Sequence, residues 1–296
     1  MKGFLRSFSA SLLALVVLFV LIVGSAALKF DQKSKIQDNS WLHLDLYGEV
    51  LEYDPPGGVL GQITGGDALT LQKILENLDK AAVDERIDGV ILQMSASHNA
   101  GFAKLQEIRQ GVKRVQAAGK PVYGYADAMD AKTYFLASVC DSLYCPGSAY
   151  IGFTGLGKSS THLKNMLDKL GVKPELHAIR HYKAAAQLLT RTDLTAEAKK
   201  NLVAMLDEYW DVVGEALLED RGLDESKVIE LMEHALFIPD EAVAMGLFDR
   251  LLYWDELEAM LKLEDDDRLR IVKHSRYADE DPADLDLKGD KKIAVI

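Results

Sequence analysis

Residues 89–125 read GVILQMSASHNAGFAKLQEIRQGVKRVQAAGKPVYGY. Gly89 to Met94 is apolar on both of its faces, as a strand covered from two sides must be. Leu105, Ile108, Val112 and Val115 then recur at the three- and four-residue spacing that lines one side of a helix. Gly119-Lys120-Pro121 ends that helix, because glycine accepts a left-handed C-terminal turn and proline cannot continue the helical ladder. Val122 to Tyr125 resumes at once as an apolar strand. Doubly buried strands joined by single amphipathic helices imply a parallel sheet with right-handed crossovers, so the stretch predicts an α/β fold.

Working outward, Trp41 to Tyr47 alternates apolar and polar positions as a strand does, and Pro55-Pro56-Gly57-Gly58 marks a loop after it. Leu71, Ile74, Leu75, Leu78 and Ala82 keep helical spacing. Downstream, a helix around Tyr134 to Val139 leads into a short strand, Ser142 to Cys145, and then a glycine-rich loop, Ile151 to Gly157. A strand is expected at Glu175 to Ile179. A long helix follows from Ala196, with Leu202, Met205, Leu206, Tyr209, Val213 and Leu217 on one face and Gly222 placed to stop it. Further helices are expected within Phe237 to Met245 and Asp255 to Leu261, with a short strand at Arg270 to Val272.

The amino terminus has a different composition. Phe8 to Leu28 contains no charged residue, and Leu12 to Val23 is almost wholly aliphatic, long enough to cross a bilayer as one helix. Ser25-Ala26-Ala27 also has the form of a cleavage site, which leaves a retained anchor and a cleaved leader both open. Lys2 and Arg6 before the span and Lys29, Lys33 and Lys35 after it do not choose an orientation. At the other end, Glu264-Asp265-Asp266-Asp267 and Asp279-Glu280-Asp281 suggest a solvated linker. The closing run Ile293-Ala294-Val295-Ile296 starts like a buried strand. The expected organisation is therefore an anchor at residues 1–28, a folded domain at 29–263, an acidic linker at 264–290 and the start of a second domain at 291–296, unless that last run is an edge strand of the same domain.

A formal charge of −12 disfavours a nucleic-acid partner, because phosphate binding needs a field of the opposite sign. Seven scattered histidines without an HExxH pattern offer no metal site, and no cofactor is expected. Cys140 and Cys145 read as two buried thiols.

Phe237-Ile238-Pro239-Asp240-Glu241-Ala242-Val243-Ala244-Met245-Gly246-Leu247-Phe248-Asp249 resembles an element found late in the Clp protease and crotonase superfamily. Cys145-Pro146 followed by Ile151-Gly152-Phe153-Thr154-Gly155 resembles the proline and glycine loop of the same superfamily. Ile179 to Asp193, reading IRHYKAAAQLLTRTD, is similar to the lysine-bearing segment of membrane-bound signal peptide peptidases of the Ser-Lys type. The order of elements fits the amino-terminal domain of their long, two-domain form.

That resemblance implies a Clp protease/crotonase-like parallel sheet with crossover helices, preceded by one transmembrane helix. It also implies a serine endopeptidase component with Lys183 as the general base and the serine supplied by a second domain. Remnant signal peptides or other apolar peptides would be the substrates, and the lipid bilayer and further copies of the chain the partners. The place implied is the bacterial inner membrane, single-pass, with the folded part extracytoplasmic. Ala184, Gln187, Leu188 and Leu189 depart from the family pattern after the lysine, and Ala131 occupies the position, three before Tyr134, where the second domain carries its serine.

A serine hydroxyl attacks an acyl carbon only when a base takes its proton, and lysine serves when burial lowers its pKa. The alanines and leucines around Lys183 suit such a shift. Asn99-Ala100-Gly101 lies where backbone oxyanion donors would fall, although it also reads as an ordinary strand-to-helix turn. Ser95, Ser97, His98 and Asp127 are further hydroxyl, imidazole and carboxylate candidates. The alternatives are a non-catalytic scaffold or peptide-binding domain of an oligomeric assembly, and a crotonase-like acyl-CoA enzyme.

Overall fold

The computed structural model describes residues 35–52, 69–154, 157–177 and 182–287, together with Val17. The chain divides into a unit Met1–Gln37 and a unit Asp38–Ile296. In the second unit the order begins β1 (Ser40–Leu46), α1 (Leu71–Val83), β2 (Ile87–Ser95), α2 (Phe102–Ala117), β3 (Val122–Asp130), α3 (Ala131–Ala137), β4 (Ser142–Cys145) and β5 (Tyr150–Gly152). It continues with α4 (Lys164–Lys169), α5 (Gln187–Thr190), α6 (Ala196–Arg221), α7 (Glu225–Glu233), β6 (Leu236–Phe237), α8 (Pro239–Ala244) and β7 (Arg250–Leu251). It closes with α9 (Trp254–Leu261), β8 (Ile271–Lys273), α10 (His274–Tyr277) and a 3-10 turn, Pro282–Leu285.

The α/β class expected from residues 89–125 holds. The strands form one sheet in the order β6-β5-β3-β2-β1-β8, and β4 pairs with β3 and carries β7. Leu42 and Leu44 of β1 lie beside Val90 and Leu92 of β2, and Val90 lies beside Val122 of β3, all in parallel register. β3 is longer than its apolar core suggested. Its first half pairs with β4 and its second half with β5, so the sheet divides along one strand. The sheet is not wholly parallel: β6 runs antiparallel to β5. A two-residue strand at a sheet edge has a neighbour on one side only, and no crossover helix fixes its direction.

Side-chain caps set the helix limits. Thr70 accepts from Lys73 N at 3.2 Å at the start of α1, Asp130 accepts from Thr133 N at 2.7 Å at the start of α3, and Thr195 accepts from Ala198 N at 3.3 Å at the start of α6. Gly119 and Gly222 close α2 and α6 at φ of +81° and +61°, a left-handed conformation that glycine adopts without a Cβ penalty. One side of the sheet buries Trp41, Ile91, Tyr125 and Tyr144 together with Leu257 of α9. Trp41 stacks on Tyr123 with ring centroids 5.4 Å apart.

Three expectations are corrected. Glu175 to His177 form no strand, and the remainder of that segment to Ile179 lies outside the described residues. Ile151 and Gly152 belong to β5 rather than to a loop. The acidic stretch assigned to a linker carries β8, which lies parallel to β1 with Trp41 opposite Ile271, so residues 271–277 complete the sheet unit. Asn77 Nδ2 donates to His274 O at 2.8 Å, Lys80 Nζ to Tyr277 O at 2.9 Å and Tyr277 Oη to Asp84 Oδ2 at 3.0 Å. The short strand expected at Arg270 to Val272 is thus β8, whereas charge density hid the docking that follows it, because the buried groups are a tyrosine and backbone carbonyls set among exposed acids.

No helix among the described residues is long and apolar enough to cross a membrane. Apart from Val17, the span Phe8 to Leu28 lies outside the described residues, as do Pro55-Pro56-Gly57-Gly58 and residues 291–296.

Candidate functional site

Lys183 sits in an irregular segment just before α5 and is exposed. The apolar residues around it form one wall of a groove of about 450 Å³, lined on that side by Ala184, Ala185 and Leu188 and across from them by Leu202 and Met205 of α6. Four bonds hold this wall in place. Gln187 Nε2 donates to Thr195 Oγ1 at 3.1 Å while Thr195 N donates to Gln187 Oε1 at 3.2 Å, which ties α5 to the α6 cap. Leu163 N donates to Leu188 O at 2.7 Å, and Thr190 Oγ1 donates to Ala186 O at 2.8 Å. The alanines and leucines therefore build the groove beside Lys183 but do not close over its side chain in this chain.

Ala131 opens α3 and is buried. No hydroxyl stands at this position, and the surrounding polar groups serve one another. Thr133 Oγ1 donates to Asp130 Oδ1 at 2.6 Å and lies 3.2 Å from His98 Nε2. Because the threonine proton is used on Asp130, the histidine must donate from Nε2, which leaves Nδ1 as a bare lone pair. Nδ1 is buried and has no hydrogen-bond partner among the described residues. Burial, with Lys132 nearby adding to it against the opposing pull of Asp130, pushes the imidazole down to about 4.

The ring's partner is thus Thr133; His98 meets Ser95 only through the backbone, its N donating to Ser95 O at 3.2 Å, and Ser97 and Asp127 are exposed. Gly101 caps α2 at φ −75° without a side-chain bond, an ordinary turn geometry. Cys140 and Cys145 are both buried free thiols, as expected, and burial raises each to about 12.

The two regions are connected through α6. Its first half lines the groove, and its second half buries Val213, Ala216 and Leu217. Arg109 of α2 is paired with Asp220 near the end of α6 and bonds the Phe135 carbonyl, while Ser138 Oγ donates to Asp220 Oδ2 at 3.0 Å. This buried knot joins α2, α3 and α6, and sequence spacing contains no sign of it. The segment Gly246 to Asp249 has a similar task. Tyr134 Oη donates to Leu247 O at 2.7 Å, and Asp249 Oδ2 accepts from Leu143 N at 2.7 Å and from Arg221 at 3.1 Å. Its acid fixes the start of β4, and its backbone holds α3.

Comparison with known proteins gives this arrangement a family. The sequence profile of peptidase family S49 matches residues 114–268, just over half of the chain. The chain is 28% identical over 256 residues to the chloroplastic serine protease SPPA of Arabidopsis thaliana, covering 84% of this chain and 38% of that one. It is 31% identical over 152 residues to Protease 4 of Haemophilus influenzae, covering 51% of this chain and 25% of that one. The chain thus spans well under half the length of these relatives. Among solved structures, a mutant of the 1510-N membrane-bound stomatin-specific protease aligns with a TM-score of 0.42 at 11% identity, over 75% of this chain and 84% of that one. By the profile match across α2 to α9, the chain belongs to peptidase family S49.

Proposed function

We propose that this chain is the lysine-bearing part of a Ser-Lys peptidase that degrades remnant signal peptides, with Lys183 as general base and the serine on a second domain. The observation that carries the reading is an exposed Lys183 directly preceding Ala184 and Ala185, which line a largely apolar groove, in a domain whose own α3 opens with Ala131. A lysine acts as a base near neutrality only when desolvated, so an incoming surface has to cover it. Tyr182, its neighbour in the chain, and Leu188 and Met205 of the adjoining groove are exposed apolar side chains that suit such a cover. The serine-bearing domain and further copies of the chain are the partners that would provide it. Residues 8–28 would hold the assembly in the bacterial inner membrane, with the folded part extracytoplasmic, close to where cleaved signal peptides lie.

The test is to join the chain to a homologous serine-bearing domain and follow hydrolysis of an apolar peptide. Lys183→Ala should lower kcat by roughly 10²- to 10⁴-fold with the fold intact, the usual span for a lost general base. Lys183→Arg should fail equally, since arginine does not give up its proton. Unchanged turnover in either variant would remove Lys183 from the mechanism. Ala131 also favours a second reading for the chain by itself, a peptide-binding scaffold. Binding of an apolar peptide without turnover supports that reading, and slow hydrolysis by the chain alone counts against it.

A further inference from the structure

The groove beside Lys183 has a polar wall as well, formed by residues 158–161, and that wall has no place in the Lys183 reading. Within it Ser160 Oγ lies 3.4 Å from His162 Nε2. The other ring nitrogen of His162 faces only acceptors, lying 3.0 Å from Arg191 O and 3.3 Å from Gln187 O. A nitrogen between two carbonyl oxygens must carry the proton, so Nδ1 is the donor and Nε2 presents its lone pair to the serine. Two backbone carbonyls therefore do for His162 what a carboxylate does in a triad: they hold the ring in the tautomer and orientation of a base. The serine is partly buried and opens onto the groove.

We propose that Ser160 and His162 form a second nucleophilic site, separate from Lys183, that takes acyl groups with a short apolar chain from activated esters. The acyl chain would lie on Leu188, Leu194, Leu202 and Met205, and Lys158 is the cation lining the same groove, available to the oxyanion. Ser160 Oγ bonds to the carbonyl carbon as its proton passes to His162 Nε2, and the Arg191 and Gln187 carbonyls hold the imidazolium. Collapse of the tetrahedral adduct breaks the ester C–O bond, and the proton leaves with the alcohol. Water, deprotonated by the same nitrogen, then releases the carboxylic acid and restores the serine. The balance is hydrolysis, and no oxidant, metal or co-reactant enters it. The proposal does not rest on Lys183 or on a second domain.

The experiment uses the full 296-residue chain. It is treated with an alkyl fluorophosphonate, and separately with p-nitrophenyl butyrate, with adducts located by peptide mass mapping. The expected result is one phosphonyl adduct, on Ser160, absent in Ser160→Ala and formed at least tenfold more slowly in His162→Gln. Melting curves of each variant check the fold. Ser160→Cys gives a second reading that does not depend on an oxygen nucleophile. Its thiol should be alkylated by iodoacetamide well ahead of the buried Cys140 and Cys145, and faster than in Ser160→Cys/His162→Gln. Absence of any adduct, an adduct that persists in Ser160→Ala, or rates indifferent to His162 in both series would overturn the site. None of these outcomes touches the Lys183 reading, which is tested on the joined protein with a peptide.

Discussion

Burial of the His98 ring against Thr133 has a consequence for stability that can be given a sign. In the unfolded chain an imidazole titrates near 6.5, and in the fold this one is held at about 4. As the pH falls through that interval the unfolded chain takes up a proton that the folded chain refuses, so stability is lost with acidification and is level above the interval. The loss amounts to at most about 3 kcal/mol. Thermal melts at neutral pH and near pH 5 should show it, and His98→Gln should remove that share of the slope. Lys183 presents the opposite case at the same scale. Its candidacy as the base was legible through the resemblance of IRHYKAAAQLLTRTD to a lysine-bearing family segment, because such a motif is a local pattern. Its exposure was not, because the solvent around a side chain depends on which surfaces meet it.

Among the elements, α6 was the most legible. Its apolar spacing and its Gly222 stop are written in the sequence, and the observed limits, Ala196–Arg221, follow them, with Thr195 found as the cap at its start. A Cβ added at Gly222 meets nothing within 4 Å, so Gly222→Ala should cost only the left-handed conformation, about 1 kcal/mol, and Gly222→Asn less. Gly89 in β2 gives the contrast. A Cβ there would come within 2.5 Å of Trp41 Cζ3 and 2.7 Å of Pro121 O. Part of that obstruction is backbone that cannot yield, and Gly89→Ala should cost roughly 1–3 kcal/mol or more. Urea unfolding of both variants separates the two effects, and equal losses would refute the distinction. The strand expected at Glu175 failed for a reason at this scale. A short alternating run becomes a strand only where a sheet edge receives it, and Glu175 and Leu176 are exposed instead.

The scale of the whole fold is where the acidic stretch changes meaning. Residues 264–290 were expected as a linker with a short strand at Arg270 to Val272; that strand is β8, which lies along β1, and Tyr277 after it is fully buried with its hydroxyl on Asp84. Lys80, also fully buried, donates to the carbonyls of Tyr277 and Glu280, and burial lowers its pKa despite the opposing pull of Glu76. A chain ending at Leu263 should therefore lose stability sharply, since it exposes the Trp41 side of β1 and strands the Lys80 ammonium and Asp84 without these partners. Circular dichroism melts of the truncated and full chains check this; equal midpoints would restore the linker. Limited proteolysis should likewise spare Ile271 to Tyr277 in the folded chain.

The alternation of strands and helices through β1 to β4, the limits of α6 and the identities of the residues at 131 and 183 were determined by the sequence. Hydrophobic period, turn residues and residue identity act over a handful of neighbouring positions, and they can be read there. Tertiary structure alone decided that Tyr277 reaches Asp84 across 193 positions, that Arg109 finds Asp220 across 111, and that Gln187 and Arg191 turn their carbonyls to His162. Such contacts arise from close packing of surfaces distant along the chain. Which polar groups end up buried and paired is a property of that packing, with no local signature in the residues themselves.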